Sequence, residues 1–502
     1  MNSVAKTYQL FINAKWVKPA SRKWNSIKSP ADGRTLARVA VGNEKDAQKA
    51  IGVARKAFDS GVWSGKTPGE RSTVLLRLAD LLEKNTPRLA KLESLNQGKT
   101  IKQSLESDFP FSVDNIRFFA GMSRNLEGKA AAEYAGFGTS YLRREPIGVV
   151  ACIVPWNYPL FIAVWQGIPA LAMGNTVVVK PASHTPITLL EFADLTAQAG
   201  IPPGVFNVIT GPGEVIGTEL ASNPNVDMVA VTGDIETGKK VMAKAAGTLK
   251  KVHLELGGKA PFIVLDDADL DAASEGAVVG GFINGGQDCT AAARLYVHER
   301  VHKKFVQLLV QKARRMRVGH SLNKGTDLGP LVSETHLERV QSFIETGKRE
   351  GAKLALGGMR STDKLLAKGN YLMPTILMNV KQHSTVCQKE IFGPVLAVLK
   401  FKSDEEVVRM ANDVKYGLAG SIWGKDITRI TRMANRLRFG EVWINDHGIL
   451  ASEMPHGGYK MSGSGRDLSA YALEEFTQLK HVYVDLTGKK RKPWYYTVYG
   501  KK

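Results

Sequence analysis

The chain has 502 residues, 43% hydrophobic and 23% charged, with 68 lysines and arginines against 48 aspartates and glutamates, a formal net charge of +20. That length accommodates two or three domains of ordinary globular composition, and no apolar run approaches the roughly 18 residues needed to span a bilayer. Residues 1–16 lack the apolar core and small-residue cleavage site of a secretory leader, and three cysteines (Cys152, Cys289, Cys387) are too few for a disulfide framework. A cytoplasmic protein with no membrane partner is expected. The cations are spread over helix faces, as at Lys303, Lys304, Lys312, Arg314, Arg315 and Arg317, and cluster only in Lys489-Lys490-Arg491-Lys492 with Lys501-Lys502. They read as solvated surface, with no nucleic-acid partner.

In chain order, residues 8–18 read as a hairpin around Asn13-Ala14-Lys15, and Ser29-Pro30-Ala31-Asp32-Gly33 as a turn cluster. Apolar spacings of three and four predict helices over 44–58, 68–84, 87–97 and 102–126. From residue 148 short β-rich runs (148–154, 176–180, 205–209, 228–231, 252–254) alternate with helical segments (160–173, 186–199, 214–221, 238–246). Repeated β–helix–β units of this size imply a parallel sheet covered on both faces. A second series follows residue 289, with strands near Leu295, Val395, Leu418 and Glu441 and helices at Lys303, Glu334, Glu405 and Ile427. Two α/β domains are expected, without internal repeats.

The run Phe282-Ile283-Asn284-Gly285-Gly286-Gln287-Asp288-Cys289-Thr290 ends a small-residue helix pattern with two glycines that permit a tight turn. A cysteine is commonly a small buried hydrophobe. Gln287, Asp288 and Thr290 are poor company for a core residue, so Cys289 is the candidate nucleophile. A nucleophilic thiol needs a base, a site for the developing oxyanion and an acceptor for what leaves. Asn157, in the loop Pro155-Trp156-Asn157-Tyr158-Pro159 at a strand end, either donates its amide to an oxyanion or is a turn asparagine. Glu255, in His253-Leu254-Glu255-Leu256-Gly257-Gly258-Lys259, is either a base with a raised pKa or half of a structural ion pair.

Lys180 ends the second parallel strand, where it could bind ribose or phosphate, or lie at the surface. The Gly-rich turn at 210–217 resembles a dinucleotide fingerprint without conforming to it. Residues 232–238 open a helix whose amides could receive a pyrophosphate. Glu390 and Phe392, just before a strand, suit ribose hydroxyls and a planar ring, or form a simple turn. No metal site is expected.

In this order and at these spacings the motifs, with Gly457-Gly458-Tyr459-Lys460-Met461-Ser462-Gly463, resemble the aldehyde dehydrogenase superfamily from Leu10 to about Asp485. The resemblance implies an α/β fold: a Rossmann-like parallel-sheet cofactor domain (1–127 and 147–256) and a second α/β catalytic domain (257–461). A small β oligomerisation arm and tail (128–146 and 477–502) would make a homodimer or homotetramer. It implies NAD(P)+-dependent oxidation of an aldehyde to its acid. Cys289 would form a thiohemiacetal held by Asn157 and the Cys289 amide, and then a thioester hydrolysed by water that Glu255 activates. Val154, Pro155, Trp156, Lys180, Ala182, Ser183, Gly213, Gly217, Thr232, Gly233, Leu256, Glu390 and Phe392 would bind the cofactor. Asp108, Phe111, Tyr158, Trp165, Asp288, Thr290, Asp446, Glu453 and His456 would line the substrate channel.

Three positions depart from the family pattern. Ser183 stands where NAD-preferring members usually carry a glutamate, so NADP is expected to be accepted alongside NAD. Asp234 replaces a serine that often touches the pyrophosphate, and Gln166 replaces a lysine proposed as a proton relay. Aromatic walls (Phe111, Tyr158, Trp165) beside acids (Asp108, Asp288, Asp446, Glu453) favour an ammonium head, and no arginine or lysine in 446–456 awaits a carboxylate. The runs at 118–121, 286–292 and 452–458 also resemble bacterial aminobutyraldehyde and betaine-aldehyde dehydrogenases. An ω-aminoaldehyde such as 4-aminobutanal is therefore the expected substrate. The alternative is a broad channel for aliphatic, aromatic or semialdehyde substrates with these acids at a solvated rim. A binding or structural protein would need neither thiol nor base, and a thiol esterase would work without dinucleotide.

Overall fold

The computed structural model describes residues 6–500, so residues 1–5 of the leader reading and Lys501-Lys502 of the basic tail lie outside the described residues. The first seven-stranded sheet runs, edge to edge, Lys251–Leu256, Met228–Gly233, Val149–Ile153, Thr176–Lys180, Phe206–Val208, Leu10–Ile12 and Lys15–Val17. Its first five strands are parallel, and the hairpin Leu10–Ile12/Lys15–Val17 adds an antiparallel edge. Asn13 and Ala14 both have positive φ (59° and 55°), the geometry of a two-residue hairpin turn. Val149–Ile153 is buried along nearly its whole length, because helices cover both faces.

The chain leaves Val149–Ile153 for Thr176–Lys180 and Phe206–Val208 on one side, then crosses to Met228–Gly233 on the other. That reversal makes a switch point between the carboxyl ends of Val149–Ile153 and Met228–Gly233. Crevices of open α/β sheets form at such points.

The second sheet runs Lys353–Leu356, Thr375–Met378, Val395–Phe401, Arg294–His298, Pro261–Val264, Ala419–Trp423 and Glu441–Ile444, parallel apart from the antiparallel Lys353–Leu356 edge. Gly138–Pro146 and Thr477–Asp485 pair antiparallel along their full length as a separate ribbon. Lys6–Tyr8, Thr35–Val41 and Lys23–Lys28 form a small third sheet, so Tyr8 belongs here rather than to the expected hairpin. Among the described residues no helix is long and apolar enough to cross a membrane.

Two helix boundaries differ from expectation. Residues 68–84 and 87–97 form one 30-residue helix, Pro68–Gln97, with Pro87 inside it. Proline removes one i→i−4 bond, and in the preceding turn Asn85 Nδ2 donates to the Leu81 carbonyl at 2.8 Å and Thr86 Oγ1 to that of Leu82 at 3.1 Å. The expected 102–126 helix is instead Ile101–Gln103, a π turn Ser104–Asp108 and Phe109–Met122. Pro110 lacks the N–H that would continue a regular ladder there.

Candidate active site

The helix Leu270–Phe282 stops because Asn284, Gly285 and Gly286 all take left-handed φ (50°, 69°, 66°). A Cβ at position 286 would lie 2.3 Å from the Gly393 carbonyl, so only glycine fits that turn. Asn284 Nδ2 donates to the carbonyls of Asn157 (3.0 Å) and Gln287 (3.2 Å), while Gln287 Oε1 accepts from the Val332 N–H at 2.9 Å. The thiol loop is therefore pinned from both sides. Cys289 itself is only partly buried, unlike Cys152 and Cys387. Burial, then the carboxylates of Asp288, Glu390 and Glu255, hold its thiol well above the ordinary range. Asn157 is buried, and its Nδ2 donates to the Gln287 carbonyl at 3.1 Å. That bond uses one of two N–H groups and leaves the other for a ligand.

Glu255 ends a buried strand, and neither carboxylate oxygen has a hydrogen-bond partner among the described residues. The expected alternative, a structural ion pair, is absent. Burial, reinforced by Asp467 and opposed by Arg466, raises its pKa well above the carboxylate range. An uncompensated buried carboxyl costs stability. The double glycine that follows is required by close approach. A Cβ on Gly257 would lie 2.2 Å from Glu390 Oε2, and one on Gly258 would lie 2.1 Å from the Cys289 carbonyl. The strand end thus wedges between the thiol loop and the Glu390 loop. Residues 463–465 clasp its other side, where the N–H groups of Ser464 and Gly465 both donate to the Leu254 carbonyl at 3.1 Å.

The residues expected to bind a dinucleotide ring the crevice. The Val154 N–H donates to the Lys180 carbonyl at 3.1 Å, tying two neighbouring strand ends together. Pro155 and Trp156 follow one side of the switch point, and Thr232 and Gly233 end the other. The Trp156 ring lies 4.9 Å from His336 and 5.2 Å edge-on to Phe392. Phe392 has φ 63°, strained for a bulky residue and of a kind that clusters at ligand sites. His336, pushed down to about 4 by burial, is neutral and donates Nε2–H to the Phe392 carbonyl at 2.7 Å. Glu390 Oε1 accepts the Gly258 N–H at 2.8 Å, and its second oxygen faces Gly257. Leu256 is buried just ahead of these glycines.

Lys180 is also buried; its Nζ donates to the Pro181 carbonyl at 3.0 Å, and burial lowers it to about 8. Beyond Ala182, Ser183 Oγ donates to the Gly211 carbonyl at 3.2 Å and lines a cavity of about 180 Å3 with Thr210, Gly211 and Pro212. Gly213 and Gly217 bound a π turn that runs into Thr218–Ser222. Asp234 caps the helix Ile235–Ala245 by accepting the Thr237 N–H at 2.8 Å. Its carboxylate therefore occupies one of the amides the sequence offered to a pyrophosphate, that of Thr237. Gln166 Nε2 donates to Thr232 Oγ1 at 2.8 Å. The Glu390 carboxylate, the buried Lys180 and the exposed Ser183 hydroxyl are groups that fit a dinucleotide, apart from the negative cap at Asp234.

The substrate side needs correction. Asp108 is not a free channel acid: it is buried and ion-paired to Lys99, itself buried and 3.6 Å from Glu93. The Lys99 ammonium sits 4.1 Å from the Tyr158 ring centroid, so that aromatic face already holds a cation. Asp446 and Glu453 are exposed, at the solvated rim. Asp288 remains beside the thiol, accepting from Tyr158 Oη (2.7 Å) and from the Thr290 N–H and Oγ1 (2.6 Å each). Phe161 closes the aromatic wall, 5.4 Å from Phe111, 5.6 Å from Tyr158 and 4.6 Å from Trp165, with His456 5.0 Å beyond Trp165. Burial alone would lower His456, but Glu441 at 3.1 Å from its Nδ1 outweighs burial and raises it. Lys99, Phe161, His336 and Glu441 escaped the sequence reading because nothing local distinguishes them from surface or core residues.

The aldehyde dehydrogenase family model matches residues 16–482. A betaine aldehyde dehydrogenase of Bacillus subtilis (strain 168) is 44% identical over 474 residues, covering 94% of this chain and 96% of that protein. A putative aldehyde dehydrogenase, DhaS, of the same organism is 41% identical over 480 residues, 96% of each. Among solved structures, a Staphylococcus aureus betaine aldehyde dehydrogenase in complex with NAD+ superposes with a TM-score of 0.95 at 37% identity, covering 97% of this chain and 96% of that one. A buried unpartnered carboxyl, a partly buried cysteine and a switch-point crevice on this fold, together with those matches, place the chain in the aldehyde dehydrogenase family.

Proposed function

We propose that the chain oxidises aldehydes to carboxylic acids with NAD+ or NADP+ through Cys289, Glu255 and Asn157. The observation that carries this reading is the buried, unpartnered Glu255 carboxyl on the strand whose end touches the Cys289 carbonyl. The thiol passes its proton to a water molecule as its sulfur adds to the aldehyde carbon. The Cys289 N–H and the free N–H of Asn157 Nδ2 then receive the oxyanion. A dinucleotide held by Glu390, Lys180 and the Trp156 loop would supply the hydride acceptor, and the Cys289 adduct would then be a thioester. Glu255 takes a proton from the water that hydrolyses it. Aldehyde-dependent reduction of the cofactor, lost in Cys289→Ala, tests the reading. Turnover by Cys289→Ala would overturn it.

For the cofactor, the absence of an acid at Ser183 and the nearby Lys180 support acceptance of NADP+ as well as the NAD+ bound by the S. aureus relative. For the substrate, Asp288 and the Phe161–Trp165 wall support an aldehyde with a cationic nitrogen, either an ω-aminoaldehyde or betaine aldehyde, as the relatives' names suggest. A broad aldehyde range is the second reading, favoured by Lys99 filling the Tyr158 face. Comparing kcat/KM for 4-aminobutanal, betaine aldehyde and butanal separates them. The ribbon Gly138–Pro146/Thr477–Asp485, with exposed Leu142, Leu479 and Tyr483, supports assembly as a homodimer or homotetramer. Three unpaired thiols fit a reducing cytoplasm.

A further inference from the structure

Lys259, four residues after Glu255, is 1% exposed, and its Nζ has no hydrogen-bond partner among the described residues. A buried ammonium is costly unless something balances it. Lys259, Gly258, Gly286 and Glu390 line one cavity of about 10 Å3, room for about one water. The other cation near Glu390, Arg339, is committed: its guanidinium donates to the carbonyls of Ile391 (2.7 Å) and Glu390 (3.0 Å). The remaining groups facing the Glu390 carboxyl are the Gly258 N–H, Asp234, Tyr416 and Cys289.

We propose that Lys259 is a positioning residue for the cofactor: across this cavity, its ammonium keeps Glu390 in the charged form that grips the nicotinamide ribose. This rests on reading Glu390 as a ribose ligand. A carboxylate accepting from hydroxyls binds roughly twice as strongly as its neutral acid. Burial pushes Glu390 up to about 7 and Lys259 down to about 8. Without the lysine's charge, burial would push the Glu390 carboxyl up further and leave more of it protonated at neutral pH.

The test is NAD+ binding by calorimetry, without aldehyde, from about pH 6 to about pH 9. In the wild type, affinity should rise as pH passes through about 7. Lys259→Met should bind about tenfold more weakly at neutral pH and converge on the wild type near pH 9, while Lys259→Arg keeps the wild-type profile. Lys180, lowered to about 8, titrates in the same range, and the variant-to-wild-type ratio at each pH cancels its contribution. Equal affinities at neutral pH, or a constant deficit at every pH as from loosened packing, would overturn the proposal. So would a pH-independent wild type, which requires no variant to fold. Glu390→Gln separates the premise: it should bind weakly and without pH dependence. Wild-type affinity in that variant would overturn the ribose reading itself.

Discussion

At Glu255 the chemistry and the cost of burial meet in one carboxyl. In the proposed reaction it must lose its proton to activate water, and its surroundings raise its pKa well above the ordinary range. The sign is fixed: deacylation should speed up as pH rises through the Glu255 pKa. Glu255→Gln should still transfer hydride once per thiol and then stall, seen as a burst of reduced cofactor in stopped flow. Steady turnover by that variant at neutral pH would assign the base elsewhere. Lys99 makes an opposite case, since it balances two buried acids rather than reacting. Removing one partner of a buried ion pair costs roughly 3–5 kcal/mol, and Lys99→Met should lose about that much in urea unfolding. Burial raises both Glu93 and Asp108, and more so once Lys99 is gone. Raised folded pKa values mean stability present at low pH and lost as pH rises. The deficit should therefore shrink toward about pH 4, the unfolded carboxyl value.

Among the elements, the strand Lys251–Leu256 and its glycine pair organise the site. Gly258→Ala would drive a Cβ to 2.1 Å from the Cys289 carbonyl, and the Leu418 Cβ at 3.2 Å leaves little room to yield. A loss of about a hundredfold in kcat/KM, about 2.7 kcal/mol, is expected from a displaced thiol loop. Unchanged kcat/KM would mean that the loop yields freely. The helix Pro68–Gln97 shows the reverse kind of local conflict. Proline signals a boundary in sequence, and only packing on both sides of residue 87 keeps this helix continuous. Pro87→Ala restores the missing donor and should raise stability by about 1 kcal/mol by chemical denaturation.

Over the whole molecule, the exposed ribbon is the surface on which the proposed assembly rests. Leu479 is 61% exposed and Tyr483 43% exposed on a strand paired only with Gly138–Pro146. Exposed apolar residues on a two-stranded ribbon are unusual in a protein that stays alone. Leu479→Asp with Tyr483→Asp should convert the assembly to monomers in analytical ultracentrifugation. An unchanged mass would place the interface elsewhere.

The sequence by itself determined the alternation of strand and helix, the thiol after its double glycine and the carboxylate in its apolar strand. Each is a local pattern whose meaning lies within ten residues: hydrophobic period, backbone freedom, one polar group in apolar company. Tertiary structure decided how charges separated by long stretches of chain cancel. Asp108 looked like a channel acid until the fold set Lys99 on it and onto Tyr158. Asp446 and Glu453 looked like its equals until the fold left them in water. Which buried charge is compensated depends on pairs brought within a few ångströms by chain reversal, and Coulomb energy in a low-dielectric interior depends on that distance rather than on sequence order.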